Sequence, residues 1–424
     1  MTIRPIRLAA GWSLALVAAL LLNLVLTRTT TAPEGAVLSA QQPHATARPT
    51  LPSKAPSRVT GDPIDRLPPV VALPPGGDTG SGTARPQELI PLKARQAAAL
   101  QAATHRARVA FGLDALAIGV SMHGTSGWTG ASGWARDGLT RLDGSSPFAI
   151  ASITKTFTAA LTLQLVDEGR LRLGDRVPDL LPGVPVPGDV RVAHLLRHTS
   201  GIADLLEPMR DELNADLERL WLPEEVIGEV PGPWFSPGLS WAYSNTNYVL
   251  LGMIIERVSG QPFRTLLHQR LLDPLGMSGT DVLLSRGAPY LMAPSWASAF
   301  GTSGDMYAST HDLLRWGDAL YGGRVLSAKG MAHMLDFQRQ GYQDHVYGMG
   351  AERIKVGDAT GYGHSGLLRG FTSLMVHLPH QDVTLTLMGT TLMFDPATVL
   401  AYRAPGKPSI LDLAERAAEA GAAA

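Results

Sequence analysis

The sequence contains no cysteine among its 424 residues. This absence excludes disulfide bonds, thiolate nucleophiles and cysteine-ligated zinc, so any nucleophile must be an oxygen or a nitrogen. An excess of one charge is also lacking, because 36 lysine and arginine residues face 37 aspartate and glutamate residues. Proteins that bind nucleic acids usually carry an excess of basic residues, which this sequence does not have. We therefore expect no nucleic-acid partner. Because 45% of the residues are hydrophobic, the chain can bury a full core.

A run of 19 uncharged residues, 8–26, follows two arginines near the N-terminus. Its length is about that of a helix that spans a bilayer, and the arginines favour a cytoplasmic N-terminus. The alanines that follow, at positions 32, 36 and 40, lack the small-x-small pattern of a signal-peptidase site. We therefore predict that residues 1–26 form an uncleaved membrane anchor and that the rest of the chain is extracytoplasmic. A cleaved signal peptide, which would give a secreted protein, remains the alternative.

Residues 27–87 are predicted to form a disordered tether. Eleven prolines lie between positions 27 and 86 among Thr, Ala, Ser and Gly residues. This composition buries too little apolar surface to offset the cost of ordering the chain. The pattern changes at Glu88, where a helical segment begins that continues to Phe111, and Ala115–Gly124 follows as a strand. Residues 88–424 are therefore predicted to form the folded domain.

Strands and helices are predicted at both ends of this domain. The runs FTSLMVHL and DVTLTLMG, separated by PHQ, predict a hairpin, and PSILDLAERAAEAG predicts a terminal helix. Helical patterns and Pro/Gly loops dominate the middle. The predicted fold is α+β, within the broad α/β class: a mostly antiparallel sheet flanked by terminal helices, with an inserted helical subdomain. We assign the sheet to residues 88–150 and 340–424 and the helical subdomain to 151–340.

Ser152 and Lys155 lie three residues apart, where an apolar run changes into a helical pattern that continues to Gly169. Residues three apart share a helix face, so the Lys155 amine can reach the Ser152 hydroxyl. The helix macrodipole and burial in a cleft would both favour a neutral amine, which can take the serine proton. A helix-capping serine beside a solvated lysine also explains these residues, and the tetrapeptide alone does not decide.

Two further stretches bear on this choice. Tyr243–Asn245 precedes another amphipathic helix, and His364–Gly366 precedes the predicted hairpin. Together with the S-x-x-K tetrapeptide they resemble the motif set of the serine β-lactamase and penicillin-binding protein superfamily, in its class C β-lactamase, DD-carboxypeptidase and esterase branch. The stretches HLLRHTSGI and GDMYASTHDLLRW resemble the same family in the same order, and the likeness covers about residues 95–395.

The resemblance implies a role for each motif position. Ser152 would be the acylated nucleophile, Lys155 its proton partner, and Tyr243 a second general acid/base whose pKa is lowered by Lys155. His364 would help to polarise Tyr243 and to position the substrate. The backbone N–H groups of Ser152 and Leu367 would form the oxyanion hole. Asn245 would hold both the substrate amide and the Lys155 amine. The resemblance implies five substrate-binding residues in all: Asn245, Ser365, Gly366, Leu367 and Arg369.

We expect an exported serine hydrolase that acts through an acyl-enzyme on Ser152, with D-alanyl peptides or β-lactams as substrates. Leu367 departs from the family pattern, because members specialised for anionic substrates often carry a hydroxyl residue at that position. A more apolar cleft favours, as an alternative, a carboxylesterase of the same fold. A catalytically silent cell-wall binding module is the second alternative. A missing motif residue would favour it, and none is missing.

His194 and His198 have the spacing of two metal ligands on a helix. No glutamate follows His194 in the H-E-x-x-H pattern, however, and no third ligand is evident. We therefore expect no metal and no other cofactor. The expected partners are a small molecule or a peptidoglycan peptide as substrate and the membrane through the N-terminal segment, with the protein itself a monomer.

Overall fold

The computed structural model describes residues 88–135, 138, 140–289, 291–339, 346–368, 370–390 and 394–422. The predicted anchor and tether, residues 1–26 and 27–87, lie outside the described residues, and so does Arg369. Within the described ranges, no helix combines the length and the hydropathy needed to cross a membrane.

The described strands form one large and one small sheet. The large sheet has nine strands in the order β1-β3-β2-β12-β11-β10-β9-β8-β7, and the small one has the order β4-β6-β5. All neighbours are antiparallel except β1 and β3, which are parallel. The strand bounds are β1 (Ile90–Pro91), β2 (Ala115–Met122), β3 (Ser126–Gly133), β4 (Pro147–Ala149), β5 (Asp281–Val282), β6 (Met306–Ser309), β7 (Gln338–Arg339), β8 (Val346–Tyr347), β9 (Glu352–Val356), β10 (Ala359–Leu368), β11 (Phe371–Leu378) and β12 (Val383–Gly389).

Most of the described helices lie between β4 and β7 in the chain. Their bounds are α1 (Ala94–Ala110), α2 (Thr154–Asp167), α3 (Val177–Leu180), α4 (Val192–Leu196), α5 (Leu206–Ala215), α6 (Pro223–Glu229), α7 (Asn245–Ser259), α8 (Phe263–Leu267), α9 (Asp273–Leu275), α10 (Pro294–Phe300), α11 (Thr310–Tyr321), α12 (Ala328–Met334), α13 (Pro396–Ala401) and α14 (Ile410–Ala422). Short 3-10 turns occupy Ala151–Ile153 and Gly301–Ser303, and a π-helical turn occupies His268–Leu272.

Strand β2 shows how the sheet separates two layers of helices. Its even-numbered side chains, such as Ile118 and Val120, share a buried cluster with residues of the terminal helices α1 and α14. On the other face, a Cβ at Gly119 would lie only 2.8 Å from the Leu314 side chain, so glycine lets helix α11 pack closely against the strand. The alternation follows from the two-residue period of a strand. The prediction of a mostly antiparallel sheet flanked by terminal helices is confirmed.

The ends of two predicted elements differ from the structure. The helix predicted from Glu88 begins only at Ala94, and residues 90–91 instead pair with β3. Pro91 explains this, because a proline disfavours helical backbone at the residue before it. The strand predicted over Ala115–Gly124 ends at Met122, since His123 and Gly124 have positive φ angles of 53° and 59° and turn the chain.

Candidate active site

Ser152 lies in the 3-10 turn between β4 and α2. The sequence predicts that it opens the helix, and the α-helix itself begins two residues later at Thr154. Ala151, just before the serine, has a φ of 46°. This left-handed conformation costs a non-glycine residue roughly 1–2 kcal/mol and is found mainly where the surrounding structure enforces it, often at functional sites. The sharp turn between strand and helix therefore marks Ser152 as a candidate nucleophile.

Strand β10 passes directly beside this turn. A Cβ at Gly366 would lie 2.3 Å from the Ile150 carbonyl oxygen, so only glycine allows the two backbones to approach so closely. Ser373, on the neighbouring strand β11, donates a hydrogen bond of 2.9 Å to the same carbonyl. These contacts hold the edge of β10 next to Ser152.

Lys155 is fully buried one helical turn after Ser152. Its Nζ lies 3.1 Å from Ser152 Oγ and 2.7 Å from both Asn245 Oδ1 and the Ser303 carbonyl oxygen. Burial lowers the pKa of Lys155 from 10.5 to about 7, against the opposing effect of the Asp204 carboxylate. A neutral amine has two N–H groups and one lone pair. The two oxygen acceptors take both N–H groups, which directs the lone pair to the Ser152 hydroxyl.

Tyr243 approaches Ser152 from a different segment of the chain. Its hydroxyl donates a hydrogen bond of 2.8 Å to Ser152 Oγ. The prediction that Lys155 lowers the pKa of Tyr243 is wrong: burial raises this pKa well above 10. The reason is that desolvation disfavours the phenolate, and the nearby negative charges of Glu352 and Asp204 disfavour it further. Tyr243 is therefore a protonated phenol at neutral pH, and it can give its proton when a nearby positive charge stabilises the phenolate.

Asn245 begins helix α7 and fixes the position of the lysine. Its backbone N–H and its Nδ2 both donate to Asp204 Oδ2, at 2.6 and 2.9 Å. With Nδ2 held in this way, the carbonyl Oδ1 points to Lys155. The described contacts of Asn245 thus hold the lysine, as the family resemblance implies, and its predicted contact with a substrate amide stays a prediction.

Rings pack closely around Tyr243. The His198 ring lies 4.3 Å from the Tyr243 ring, centroid to centroid, and the Tyr347 ring lies 6.3 Å from it. His198 Nδ1 accepts a hydrogen bond of 3.2 Å from the Ser244 backbone N–H, so its role in these contacts is to hold the segment that carries Tyr243. Among the described residues, no group of three or more His, Asp or Glu side chains has the arrangement of a metal site.

His364 is buried in strand β10, next to the ring of Tyr347. Its Nδ1 lies 2.6 Å from the Ser365 carbonyl oxygen, to which it donates, and its Nε2 lies 2.9 Å from the Tyr347 hydroxyl. Burial lowers the pKa of His364, which favours the neutral imidazole. The sequence predicts that His364 acts on Tyr243, but its hydrogen bond goes to Tyr347, whose ring packs against Tyr243.

The outer edge of β10 presents the other predicted binding residues. The pairing of β10 with β9 extends from Ala359 to Gly363, and β10 then continues past the first residue of β9. The Ser365 backbone N–H and hydroxyl both donate to Glu352 Oε2, at 3.0 Å each. Because alternate residues of a strand direct their N–H groups to the same side, the Leu367 N–H faces this edge too.

Sequence reasoning misses three side chains of the site: Asp204, Tyr347 and Glu352. Each contacts a motif residue, namely Asn245, His364 and Ser365 respectively. Asp204 comes two residues after the stretch HLLRHTSGI, so that stretch offered a local signal. Tyr347 and Glu352 lie in the short strands β8 and β9, and no motif marks them.

Comparisons with known proteins identify the family of this chain. The family model described as Beta-lactamase matches residues 94–404. Penicillin-binding protein 4* of Bacillus subtilis (strain 168) is 34% identical over 176 residues, which are 40% of this chain and 37% of that protein. Penicillin-binding protein 4 of Amycolatopsis lactamdurans is 31% identical over 230 residues, which are 50% of this chain and 55% of that protein. The matches thus span only about half or less of these curated relatives.

The matches to solved structures cover larger shares of both chains. A D-stereospecific amidohydrolase from Streptomyces sp. is 31% identical with a TM-score of 0.62, covering 72% of this chain and 97% of that one. The D-amino acid amidase from Ochrobactrum anthropi SV3 is 26% identical with a TM-score of 0.66, covering 78% and 100%. An octameric penicillin-binding protein homologue from Pyrococcus abyssi, 23% identical with a TM-score of 0.59 and covering 71% and 74%, shares the fold. The chain belongs to the Beta-lactamase family of serine hydrolases.

Proposed function

We propose that this protein hydrolyses amides of D-amino acids, the group to which D-alanyl peptides belong, through an acyl-enzyme on Ser152. One observation carries the proposal. Ser152 Oγ is contacted both by a candidate base, Lys155 Nζ at 3.1 Å, and by a candidate acid, the Tyr243 hydroxyl at 2.8 Å. A serine hydroxyl between two such groups is the arrangement that activates a weak nucleophile.

The acylation step follows from these contacts. The Ser152 proton passes to the neutral amine of Lys155 while Oγ bonds to the substrate carbonyl carbon, whose oxygen becomes an oxyanion. The N–H groups of Ser152 and Leu367 stabilise that oxyanion. When the carbon–nitrogen bond breaks, the leaving nitrogen takes the proton of Tyr243, and the proton held by Lys155 balances the phenolate charge. Water then hydrolyses the acyl-enzyme.

The substrate class rests on the relatives and on the proposed location. A D-stereospecific amidohydrolase and a D-amino acid amidase are among the similar structures, and penicillin-binding proteins are among the similar sequences. If residues 1–26 anchor the chain as predicted, the domain faces the cell wall, where D-alanyl peptides occur. We propose an extracytoplasmic monomer with no cofactor.

A panel of acyl donors tests the proposal. The domain from Glu88 onward is incubated with a D-amino acid amide, its L-enantiomer, a fluorescent penicillin and a p-nitrophenyl ester, and its intact mass is measured. We expect an adduct on Ser152 and faster turnover of the D-amide than of the L-amide. Equal turnover of the two enantiomers would contradict the D-amino acid assignment.

A carboxylesterase is the second candidate. It is favoured by the apolar side chain of Leu367, whose backbone N–H is a proposed oxyanion donor. It predicts turnover of the p-nitrophenyl ester with no measurable hydrolysis of any amide in the panel. A catalytically silent cell-wall module predicts no adduct with any reagent. The contacts among Ser152, Lys155 and Tyr243 speak against a silent site.

The pH profile should report the titration of Lys155. Its base function needs the neutral amine, and burial lowers the pKa of Lys155 to about 7. We therefore expect kcat/KM for an amide substrate to rise with pH through about 7 and to level off above it. Initial rates measured between about pH 5 and pH 9 check this expectation. A profile that is flat over this range would mean that no group with such a pKa acts in acylation.

A further inference from the structure

Glu352 lies at the start of β9, beside the part of β10 that borders the proposed oxyanion site. Its Oε2 accepts hydrogen bonds from both the N–H and the hydroxyl of Ser365, at 3.0 Å each. Ser365 is two residues before Leu367 on the same open edge, a separation of about 7 Å along a strand. The N–H and hydroxyl of Ser365, which neighbour the proposed oxyanion donor of Leu367, are therefore already bound to the Glu352 carboxylate.

The charge of Glu352 reaches the reacting groups. The Glu352 side chain is 25% exposed, and its Oε1 lies 3.6 Å from His364 Nδ1. After burial, the Glu352 charge is among the causes that raise the pKa of Tyr243 and of Tyr347. Burial meanwhile lowers the pKa of the two neighbouring bases, Lys155 and His364. Among the described residues on this side of the site, the Glu352 carboxylate therefore faces two bases whose neutral forms burial favours.

This side of the site is where the leaving group would lie. Tyr243, which contacts Ser152 Oγ, is the proposed proton donor to the leaving group. His364, next to Ser365 in the strand, is hydrogen-bonded to Tyr347, whose ring packs against Tyr243. These contacts, from Glu352 through Ser365, His364 and Tyr347 to Tyr243, put Glu352 on the side from which Tyr243 would protonate the leaving group.

Building on the acyl-enzyme proposed above, we propose that Glu352 sets the specificity for the leaving group. Its carboxylate repels a leaving group that carries a carboxylate and attracts one that carries a cationic amine. This narrows the class of D-amino acid amides proposed above: members whose leaving group carries a carboxylate, such as peptides ending in a free D-alanine, and likewise penicillins, are the slower substrates. Amides and esters with a cationic or uncharged leaving group are the preferred class.

Three thioesters of N-acetyl-D-alanine test this selectivity. Their leaving groups are thiocholine, which is cationic, its uncharged analogue 3,3-dimethylbutanethiol, and 3-mercaptopropionate, which is anionic. The released thiol gives kcat/KM for each. We expect kcat/KM to be highest for the thiocholine ester, intermediate for the uncharged ester and lowest for the mercaptopropionate ester. The first and the last should differ at least about tenfold. Raising the salt concentration should narrow this ratio, because a partly exposed charge is screened.

Three variants separate the effect of charge from that of shape. Glu352→Gln keeps an oxygen that can accept the Ser365 bonds but removes the charge, and it should reduce the thiocholine to mercaptopropionate ratio by about tenfold. Glu352→Asp keeps the charge and should keep the preference for the cation. Glu419→Gln removes an exposed acid from the terminal helix α14 and should leave the ratio unchanged.

The outcomes distinguish this inference from the function on which it rests. The role of Glu352 is overturned if Glu352→Gln keeps the thiocholine to mercaptopropionate ratio of the wild-type protein. It is also overturned if the wild-type protein prefers the mercaptopropionate ester. Hydrolysis itself continues in both cases. If Glu352→Gln does not fold, a salt-independent ratio in the wild-type protein overturns it equally. No release from the uncharged thioester, together with no adduct on Ser152, overturns the proposed acyl-enzyme and this inference with it.

Discussion

Ser152→Ala should abolish acyl-enzyme formation. The Ser152 hydroxyl receives the Tyr243 hydrogen bond and faces the Lys155 amine, so its removal leaves base and acid without a nucleophile between them. We expect no adduct in the intact mass after incubation with a p-nitrophenyl ester of a D-amino acid. Turnover should fall by a factor on the order of 10⁴ or more, as when a nucleophile is removed from a unit that acts together.

The same variant distinguishes catalysis from a structural role. A helix-capping serine would lower stability by about 1 kcal/mol on replacement and leave acylation unchanged. Neither the 3-10 turn nor helix α2 uses a side-chain cap, so Ser152→Ala should still melt cooperatively. Ser145→Ala, which changes an exposed serine just before β4, is the matched control and should acylate normally. An undiminished adduct in Ser152→Ala would mean that another residue is the nucleophile.

Local patterns were sufficient for parts of the fold and of the site. The β-rich composition of β11 and β12 and the helical pattern of α14 are visible in the sequence. Ser152 and Lys155 are one helical turn apart, so the contact between them follows from spacing alone. Tyr243 lies 91 residues away from Ser152, and only the resemblance to a known motif set connected the two.

The remaining features depend on packing between distant segments. Glu352 is adjacent to Ser365 because β9 pairs with β10, and its register decides which side chain meets the open edge. The pKa of Tyr243 depends on how completely the rings of His198 and Tyr347 exclude water from it. A motif records the identity of a residue but not its burial, which explains why the direction of this pKa shift was predicted wrongly.

Lys155→Met and Tyr243→Phe should each slow acylation by an amide substrate by a factor of about 10² to 10⁴, as for the loss of general acid or base catalysis. Methionine fills the space of the lysine stem without an amine. Both side chains act on the same oxygen, so the double variant should lose less than the product of the single losses. Lys155→Met also leaves Asn245 Oδ1 and the Ser303 carbonyl without their N–H donor, so melting curves must accompany the rates.

The two variants should differ in how they respond to the leaving group, because the two residues handle different protons. A p-nitroanilide needs a proton on its leaving nitrogen, whereas p-nitrophenolate departs as an anion. Tyr243→Phe should therefore slow the anilide at least about tenfold more than the ester, while Lys155→Met slows both similarly. Single-turnover acylation rates for the two D-amino acid substrates measure this. Unchanged acylation in Lys155→Met would refute the role of the lysine, and equal losses for anilide and ester in Tyr243→Phe would refute that of the tyrosine.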